Sequence, residues 1–232
     1  MNEIAQRVDE IRARLEQAAY ERWGRVPRIV AVSKTIEAPI VNQVKEAGIL
    51  RLGENRVQEI LEKYPYLDAS FQIDLIGRLQ TNKVKYIIDD VCLIQSVDRL
   101  PLAQEIDRQA QKHGRVMPVL VQVSPAGEEQ KGGMPPEDVR AFLNEVRYMD
   151  GLHVEGLMAV MPHTQEQEYL SGLFGQMRTL FEQLREEAIP GVDMKELSMG
   201  MSGDYVLAAR HGATMVRLGS ALFGPRDYGV VK

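Results

Sequence analysis

The sequence predicts an α/β protein, a single (β/α)8 barrel of the TIM type with one extra helix before the first strand. Short β-branched runs alternate with segments of helical periodicity, which is typical of βαβ units and a parallel sheet. Eight such runs occur in a chain of 232 residues, and both the count and the length suit a closed barrel. We therefore expect residues 1–232 to form one domain. A doubly wound open sheet is the alternative.

The first element is a helix over residues 1–23, because apolar residues recur there every three or four positions. It precedes the first strand, so we expect it to pack outside the barrel or across its bottom. The predicted strands are 28–33, 49–53, 71–77, 91–96, 116–123, 152–160, 194–200 and 213–219. Predicted helices lie between them, among others at 39–48, 55–64, 100–114 and 137–149.

Composition and charge exclude several classes of protein. The chain is 44% hydrophobic and 26% charged, as is ordinary for a soluble globular protein. Its net charge of −5 predicts no binding to nucleic acid or to anionic membranes. No segment approaches the roughly 20 apolar residues of a membrane helix, and the charged start does not resemble a signal peptide. We expect a cytoplasmic protein and, without an exposed apolar stripe, a monomer.

The single cysteine, Cys92, rules out an internal disulfide and a multi-cysteine metal site. It lies in the apolar run VCLI, so we expect a buried, unreactive thiol. The four histidines show no metal-binding spacing, and we predict no metal ion.

Lys34 is the most unusual residue at the predicted barrel mouth. It directly follows the apolar run IVAVS, and functional residues of barrels collect at the carboxyl ends of strands. A partly desolvated lysine there has a lowered pKa and an amine nucleophilic enough to form a Schiff base. The alternative is a lysine whose amine extends to the solvent at the rim.

Two glycine- and serine-containing turns predict a phosphate site. Barrel phosphate sites are typically built from the loops after strands seven and eight. Here the seventh strand ends in MGMSGD, with Ser202 placed as the N-cap of the helix YVLAARHG, and the eighth ends in RLGS, with Gly219 and Ser220. The alternative is two ordinary capped turns.

Two further polar residues are expected near the same mouth. Arg217 lies in an apolar strand, and a buried arginine needs either a carboxylate or a ligand as its partner. Asn55 follows the second strand and could present its amide to the mouth; capping the helix that follows is the equal alternative.

With these residues identified, the chain resembles the pyridoxal phosphate homeostasis proteins, whose barrel is similar to the N-terminal domain of alanine racemase. The matching segments span nearly the whole chain in the right order: AVSKT (31–35), LGENRVQE (52–59), IGRLQTNK (76–83), EEQKGG (128–133), GLMAVMP (156–162), LSMGMSGDY (197–205) and MVRLGSALFGPRDY (215–228). One departure is Asp74-Leu75, where the family usually carries His-Phe. Any role of that histidine is therefore in doubt for this chain.

The resemblance implies that the cofactor is pyridoxal 5′-phosphate (PLP), held as a Schiff base on Lys34. It implies the following neighbours of the cofactor: the phosphate at Ser202, Gly219 and Ser220, and the ring beside Arg217 and Asn55. It also implies a role in PLP homeostasis, in which the protein holds, buffers or supplies the cofactor, with PLP-dependent apo-enzymes as partners.

We expect a carrier rather than an enzyme, and assign no catalytic residue. An arginine at the ring nitrogen makes the cofactor a weak electron sink. Alanine racemases add a β domain and a partner's tyrosine base, whereas this chain stops at Lys232, soon after the eighth strand. Two alternatives remain: a small PLP-dependent amino-acid racemase, with Tyr205 as the nearby candidate for a second base, and a sugar-phosphate binder in which Lys34 is an ion-pair donor.

One more lysine lies in a segment without regular periodicity. Lys131 belongs to PAGEEQKGG, whose glycines predict a mobile loop close to the mouth. Its amine could take the cofactor from Lys34 by transimination. The alternative is a solvated surface lysine.

Overall fold

The computed structural model describes residues 3–224, and within them eight parallel strands close into a barrel in sequence order. The strands are β1 (Arg28–Val32), β2 (Arg51–Glu54), β3 (Gln72–Leu75), β4 (Leu93–Val97), β5 (Met117–Val123), β6 (Leu152–Ala159), β7 (Val192–Met201) and β8 (Met215–Leu218). Pairing of β8 with β1 closes the ring and sets Arg217 opposite Val30. The predicted barrel is thus confirmed, with each strand within a few residues of its expected bounds.

The helices surround the barrel, and the predicted extra N-terminal helix is present. They are α1 (Glu3–Trp23), α2 (Ala38–Glu46), α3 (Val57–Lys63), α4 (Leu100–Lys112), α5 (Val139–Val146), α6 (Gln167–Glu187), α7 (Tyr205–Arg210) and α8 (Ser220–Phe223). Between β3 and β4 a 3-10 turn, Thr81–Tyr86, takes the position of a helix. Residues 225–228, the end of the C-terminal motif, and Lys232 lie outside the described residues.

Helix α1 lies outside the barrel. Its buried face is the apolar stripe visible in the sequence: Ile4, Val8, Ile11, Leu15 and Ala19. This face contacts α2, α7 and α8. Among residues 3–224, no helix has both the length and the apolar character needed to cross a membrane.

The core has two layers because the side chains of each strand alternate between the two faces of the sheet. The outer layer lies between strands and helices and contains most of the buried apolar residues. The inner layer fills the barrel with Val30, Leu93, Leu120, Met158 and Met215. Polar side chains also lie in the buried strands, and they connect the inner layer to the barrel mouth.

The expected burial of Cys92 is wrong. The thiol is exposed, although the flanking Val91 and Leu93 are almost fully buried. Cys92 lies in a bend directly before β4, where the alternation of a strand does not yet apply. Its two neighbours are buried in different layers, Val91 in the outer layer and Leu93 in the inner one. An apolar run therefore fixed the burial of its neighbours but not that of the residue between them.

Candidate functional site

All six residues predicted from the sequence to bind a cofactor surround one cavity of about 360 Å³ at the barrel mouth. They are Lys34, Asn55, Ser202, Arg217, Gly219 and Ser220, and apolar side chains of Val32, Ile76 and Val160 line the same cavity. A volume of a few hundred Å³, mostly apolar with a few converging polar groups, is typical of small-molecule sites. The structure brings the six residues together, and their roles as ligands stay predictions.

Lys34 follows a strand end whose backbone is fixed by a network of hydrogen bonds. Ser33 is fully buried; its hydroxyl donates to Glu54 Oε1 at 2.7 Å, and its carbonyl oxygen accepts from Lys63 Nζ at 2.6 Å. Lys63 Nζ also donates to Glu54 Oε1 at 2.8 Å. Burial raises the pKa of Glu54, and the Lys63 ammonium and the Ser33 hydroxyl oppose that shift. This network fixes the backbone from which Lys34 projects, while Lys34 itself remains partly exposed.

The residue after Lys34 has a strained backbone. Thr35 adopts a φ of 64°, and a β-branched residue in the left-handed region costs about 1–3 kcal/mol. Its amide donates to Glu59 Oε2 at 2.9 Å, which helps to hold the strained conformation. Such strain clusters at functional turns, where the surrounding structure over-determines it. The turn at Lys34 is therefore a specified feature of the fold.

The expected role of Ser202 as the N-cap of α7 is wrong, because Asp204 occupies that position. The Ser202 hydroxyl oxygen instead accepts from the amides of Gly219 at 3.2 Å and Ala221 at 3.1 Å. Ser202 thus ties the turn after β7 to the turn after β8. Because both amides donate to the hydroxyl oxygen, the donor that remains for a ligand at this point of the cavity is the Ser202 O–H, which suits an oxyanion such as a phosphate.

Gly200 allows Ser202 to reach this position. Its φ is 94°, and a Cβ there would lie 2.5 Å from the Cβ of Ala208 and 3.2 Å from the Cα of Tyr205. Only glycine permits both this backbone conformation and the close packing of α7 on the end of β7. The chain therefore leaves β7 after Met201 and turns at Ser202.

Arg217 projects into the site as a buried cation with uncharged partners. It is 4% exposed; Nη1 donates to Ser198 Oγ at 2.7 Å and Nη2 donates to the carbonyl oxygen of Ala159 at 2.6 Å. Burial lowers the pKa of Arg217 to about 10, and the charge of Asp204 opposes this shift. The guanidinium therefore stays charged at neutral pH. A buried charge without a directly bonded carboxylate favours a ligand that supplies an acceptor.

A chain of buried polar side chains fixes Arg217, and the sequence reasoning missed it. The Ser198 hydroxyl donates to Gln95 Oε1 at 2.7 Å, and Gln95 Nε2 donates to Asp74 Oδ2 at 2.7 Å. Arg51 Nε donates to both Asp74 oxygens, at 2.8 and 3.0 Å. Burial raises the pKa of Asp74, and the Arg51 guanidinium opposes this. This series of hydrogen bonds runs from the start of β2 to the barrel mouth. In the sequence, isolated polar residues inside apolar strands were the signal that could have predicted it.

Asn55 lines the mouth and does not cap a helix with its side chain. Helix α3 begins after Arg56, with no side-chain capping hydrogen bond. The backbone of the next strand end approaches closely, because a Cβ on Gly77 would lie 2.3 Å from the carbonyl oxygen of Asn55. Asn55 lies between the mouth cavity and a second, neighbouring one.

Lys131 lies outside the residues that line the mouth cavity. Its ammonium pairs with Glu128 at 2.6 Å and donates to the carbonyl oxygen of Met161 at 3.1 Å. The residue before Met161, Val160, lines the cavity, so this hydrogen bond connects Lys131 to a segment of the cavity wall. Within residues 3–224, no group of three or more His, Cys, Asp or Glu residues is arranged to hold a metal ion.

Comparison with known proteins agrees with this geometry. Residues 6–227 match the family described as "Alanine racemase, N-terminal domain". The "Pyridoxal phosphate homeostasis protein" of Aquifex aeolicus (strain VF5) is 39% identical over 96% of this chain and 98% of its own. The protein of the same name from Pseudomonas aeruginosa is 38% identical over 99% and 98%. PipY of Synechococcus elongatus PCC7942, solved with PLP bound, superposes with a TM-score of 0.84 at 33% identity, covering 96% of this chain and 100% of PipY.

Proposed function

We propose that this protein binds PLP at the barrel mouth and holds, buffers or supplies this cofactor. The chain belongs to the alanine racemase N-terminal domain family and, within it, to the pyridoxal phosphate homeostasis proteins. One observation carries the proposal. A lysine, a buried arginine with uncharged partners and two converging turns meet at a single cavity.

The residues around the cavity fit this cofactor from end to end. PLP supplies an aldehyde carbon that condenses reversibly with an amine, and a dianionic phosphate. Lys34 is the amine that lines the cavity, and the turns at Ser202 and Gly219–Ser220 offer donors to the phosphate. Arg217 would donate a hydrogen bond to the ring nitrogen and so keep it unprotonated. Asn55 would hold the ring from the side of β2.

We further propose that the protein does not catalyse amino-acid chemistry. Racemisation needs a second base across from the lysine, and Tyr205 was the candidate from the sequence. The Tyr205 hydroxyl instead accepts a hydrogen bond from Arg14 of α1 at 3.3 Å and does not line the cavity. A guanidinium at the ring nitrogen also makes a poor electron sink. Both features support a carrier.

The proposal extends to the setting in which the carrier works. We propose that residues 1–232 act as one cofactor-binding domain, in the cytoplasm and as a monomer, and that apo-enzymes requiring PLP are its partners. A cofactor bound through a reversible covalent bond in an open mouth supports exchange with such enzymes.

The experiment is an absorbance spectrum of the loaded protein before and after borohydride, with peptide mapping of the reduced lysine. We expect a band near the visible edge in the native protein and in the matched Lys112→Ala variant, its loss in Lys34→Ala, and modification of Lys34. A band that survives in Lys34→Ala, with PLP mapped to another lysine, would show that Lys34 is the wrong residue. A native protein that takes up no PLP would favour the sugar-phosphate alternative.

Racemase activity is measured separately, by the optical rotation of alanine with the loaded protein. We expect no turnover above that of Lys34→Ala. Turnover that depends on Lys34 would contradict the carrier proposal while leaving cofactor binding intact.

A further inference from the structure

A second cavity, of about 600 Å³, adjoins the mouth cavity at Asn55. Three segments form it: the start of α3, the loop and 3-10 turn after β3, and the residue before α4. The lining residues are Asn55, Arg56, Val57, Gln58, Arg78, Leu79, Gln80, Thr81, Lys83 and Arg99. The comparisons and the proposed function leave this cavity without a role.

The cavity is strongly cationic although the protein is acidic. Four of its ten lining residues are Arg or Lys and none is Asp or Glu, in a chain with a net charge of −5. Arg99 is partly neutralised, since it pairs with Asp98 at 2.5 Å and donates to the carbonyl oxygen of Leu79 at 2.8 Å. Arg56, Arg78 and Lys83 form no ion pair with any carboxylate in the described part of the chain.

Such a concentration of positive charge in a concavity attracts anions, because the walls of a cleft focus the field of charges of one sign. One of the cations also has a local contact: Lys83 Nζ lies 5.6 Å from the centre of the Tyr86 ring, a cation–π distance. Arg56 and Arg78 are exposed and can turn toward a bound ligand.

The shape and the neutral donors indicate a small ligand. The cations line a concavity, whereas a macromolecular surface would meet a flat patch or an extended stripe. Asn55, Gln58, Gln80 and Thr81 add amide and hydroxyl donors to the same wall. Guanidinium groups bind phosphate oxygens in pairs, with charge-assisted hydrogen bonds about twice as strong as neutral ones.

We propose that this cavity, lined by Arg56, Arg78, Lys83 and Arg99, is a second anion site that takes the phosphate of a small organic phosphate ester. It shares only Asn55 with the mouth cavity, and neither Ser202 nor Ser220 lines it. The inference goes beyond cofactor binding and stands whether or not Lys34 carries PLP.

The test is a calorimetric titration of the full chain with glycerol 3-phosphate and, in parallel, with inorganic phosphate. The site variant combines Arg56→Gln, Arg78→Gln and Lys83→Gln, all at positions that are not fully buried. The mouth variant combines Ser202→Ala and Ser220→Ala. The matched control removes three positive charges far from the mouth through the substitutions Arg108→Gln, Lys112→Gln and Lys195→Gln.

We expect the native protein, the mouth variant and the control to bind glycerol 3-phosphate at the second site, and the site variant to bind it there at least tenfold more weakly. A tenfold change in the dissociation constant corresponds to about 1.4 kcal/mol. Unchanged binding in the site variant, or an equal loss in the control, would overturn the proposal. Binding of inorganic phosphate alone would refute the organic ester as ligand.

The same titrations distinguish this inference from the proposed function. If the mouth variant binds glycerol 3-phosphate as the native protein does while the site variant binds it more weakly, the second site is supported and a phosphate site at Ser202 and Ser220 is refuted. If only the mouth variant binds glycerol 3-phosphate more weakly, the phosphate site at Ser202 and Ser220 is supported and the second site is refuted. Circular dichroism and thermal midpoints confirm that each variant is folded before it is titrated.

Discussion

Ser198→Ala tests whether the buried polar chain positions Arg217 for the cofactor. Ser198 is fully buried, donates to Gln95 Oε1 at 2.7 Å and accepts from Arg217 Nη1 at 2.7 Å. Alanine removes both hydrogen bonds and leaves a buried amide oxygen and a buried guanidinium N–H without that partner. A neutral hydrogen bond contributes about 1 kcal/mol and one to a charged group about 1.5–3 kcal/mol. We expect the free energy of unfolding to fall by about 2.5–4 kcal/mol.

Thr214→Val is the matched control, because Thr214 has the same kind of environment away from the mouth. It is 6% exposed, accepts from the Leu197 amide at 2.8 Å and donates to Glu196 Oε2 at 2.6 Å. Valine keeps the shape and removes both hydrogen bonds, one of them to a carboxylate. By the same arithmetic it should lose about 2.5–4 kcal/mol in urea unfolding.

The two variants should differ in their affinity for PLP. In Ser198→Ala the guanidinium of Arg217 keeps only the Ala159 carbonyl as a fixed partner and samples more orientations. We expect the dissociation constant of Ser198→Ala for PLP to rise about 3- to 10-fold, a loss of roughly 1 kcal/mol in binding free energy, measured by absorbance titration. Thr214→Val should bind PLP as the native protein does. Equal affinities in the two variants would refute the idea that Ser198 acts through Arg217.

Two further predictions concern a lysine and a carboxylate near the mouth. Lys131→Ala should leave the rate of PLP transfer to an apo-enzyme unchanged, because Glu128 and the Met161 carbonyl hold the Lys131 ammonium away from the cavity. Asp204→Asn should gain stability relative to the native protein as the pH rises from about 4 toward neutrality, measured by thermal midpoints. Burial raises the pKa of Asp204, so its carboxyl ionises first in the unfolded chain, and its contribution to native stability falls as the pH rises across that range.

The outcomes against these two predictions are equally concrete. Slower transfer by Lys131→Ala, at an affinity for PLP equal to that of the native protein, would establish Lys131 as a relay. For Asp204 the comparison is the difference between the two midpoint curves. A difference that stays constant from pH 4 to 7 would mean that Asp204 titrates alike in the folded and unfolded states.

Much of the fold and of the site's composition could be predicted because both follow from short-range patterns. Alternation of β-branched and helical segments specifies parallel strands, and in a closed barrel every parallel strand ends at the same face. Lys34, Asn55 and Arg217 are therefore brought to one mouth by topology alone. The same reasoning could not say that Ser202 bonds to the amides of Gly219 and Ala221 instead of capping α7.

The sequence by itself determined the barrel, the order of its strands and the end at which the polar residues gather, because each depends on periodicity within one segment. Three features are visible only in the tertiary structure: the series of hydrogen bonds from Arg51 through Asp74 to Ser198, the exposure of Cys92, and the cationic second cavity. These depend on the register between strands and on the direction of individual side chains. A contact between residues far apart in the chain forms only when packing has fixed both, and no pattern within one segment encodes that.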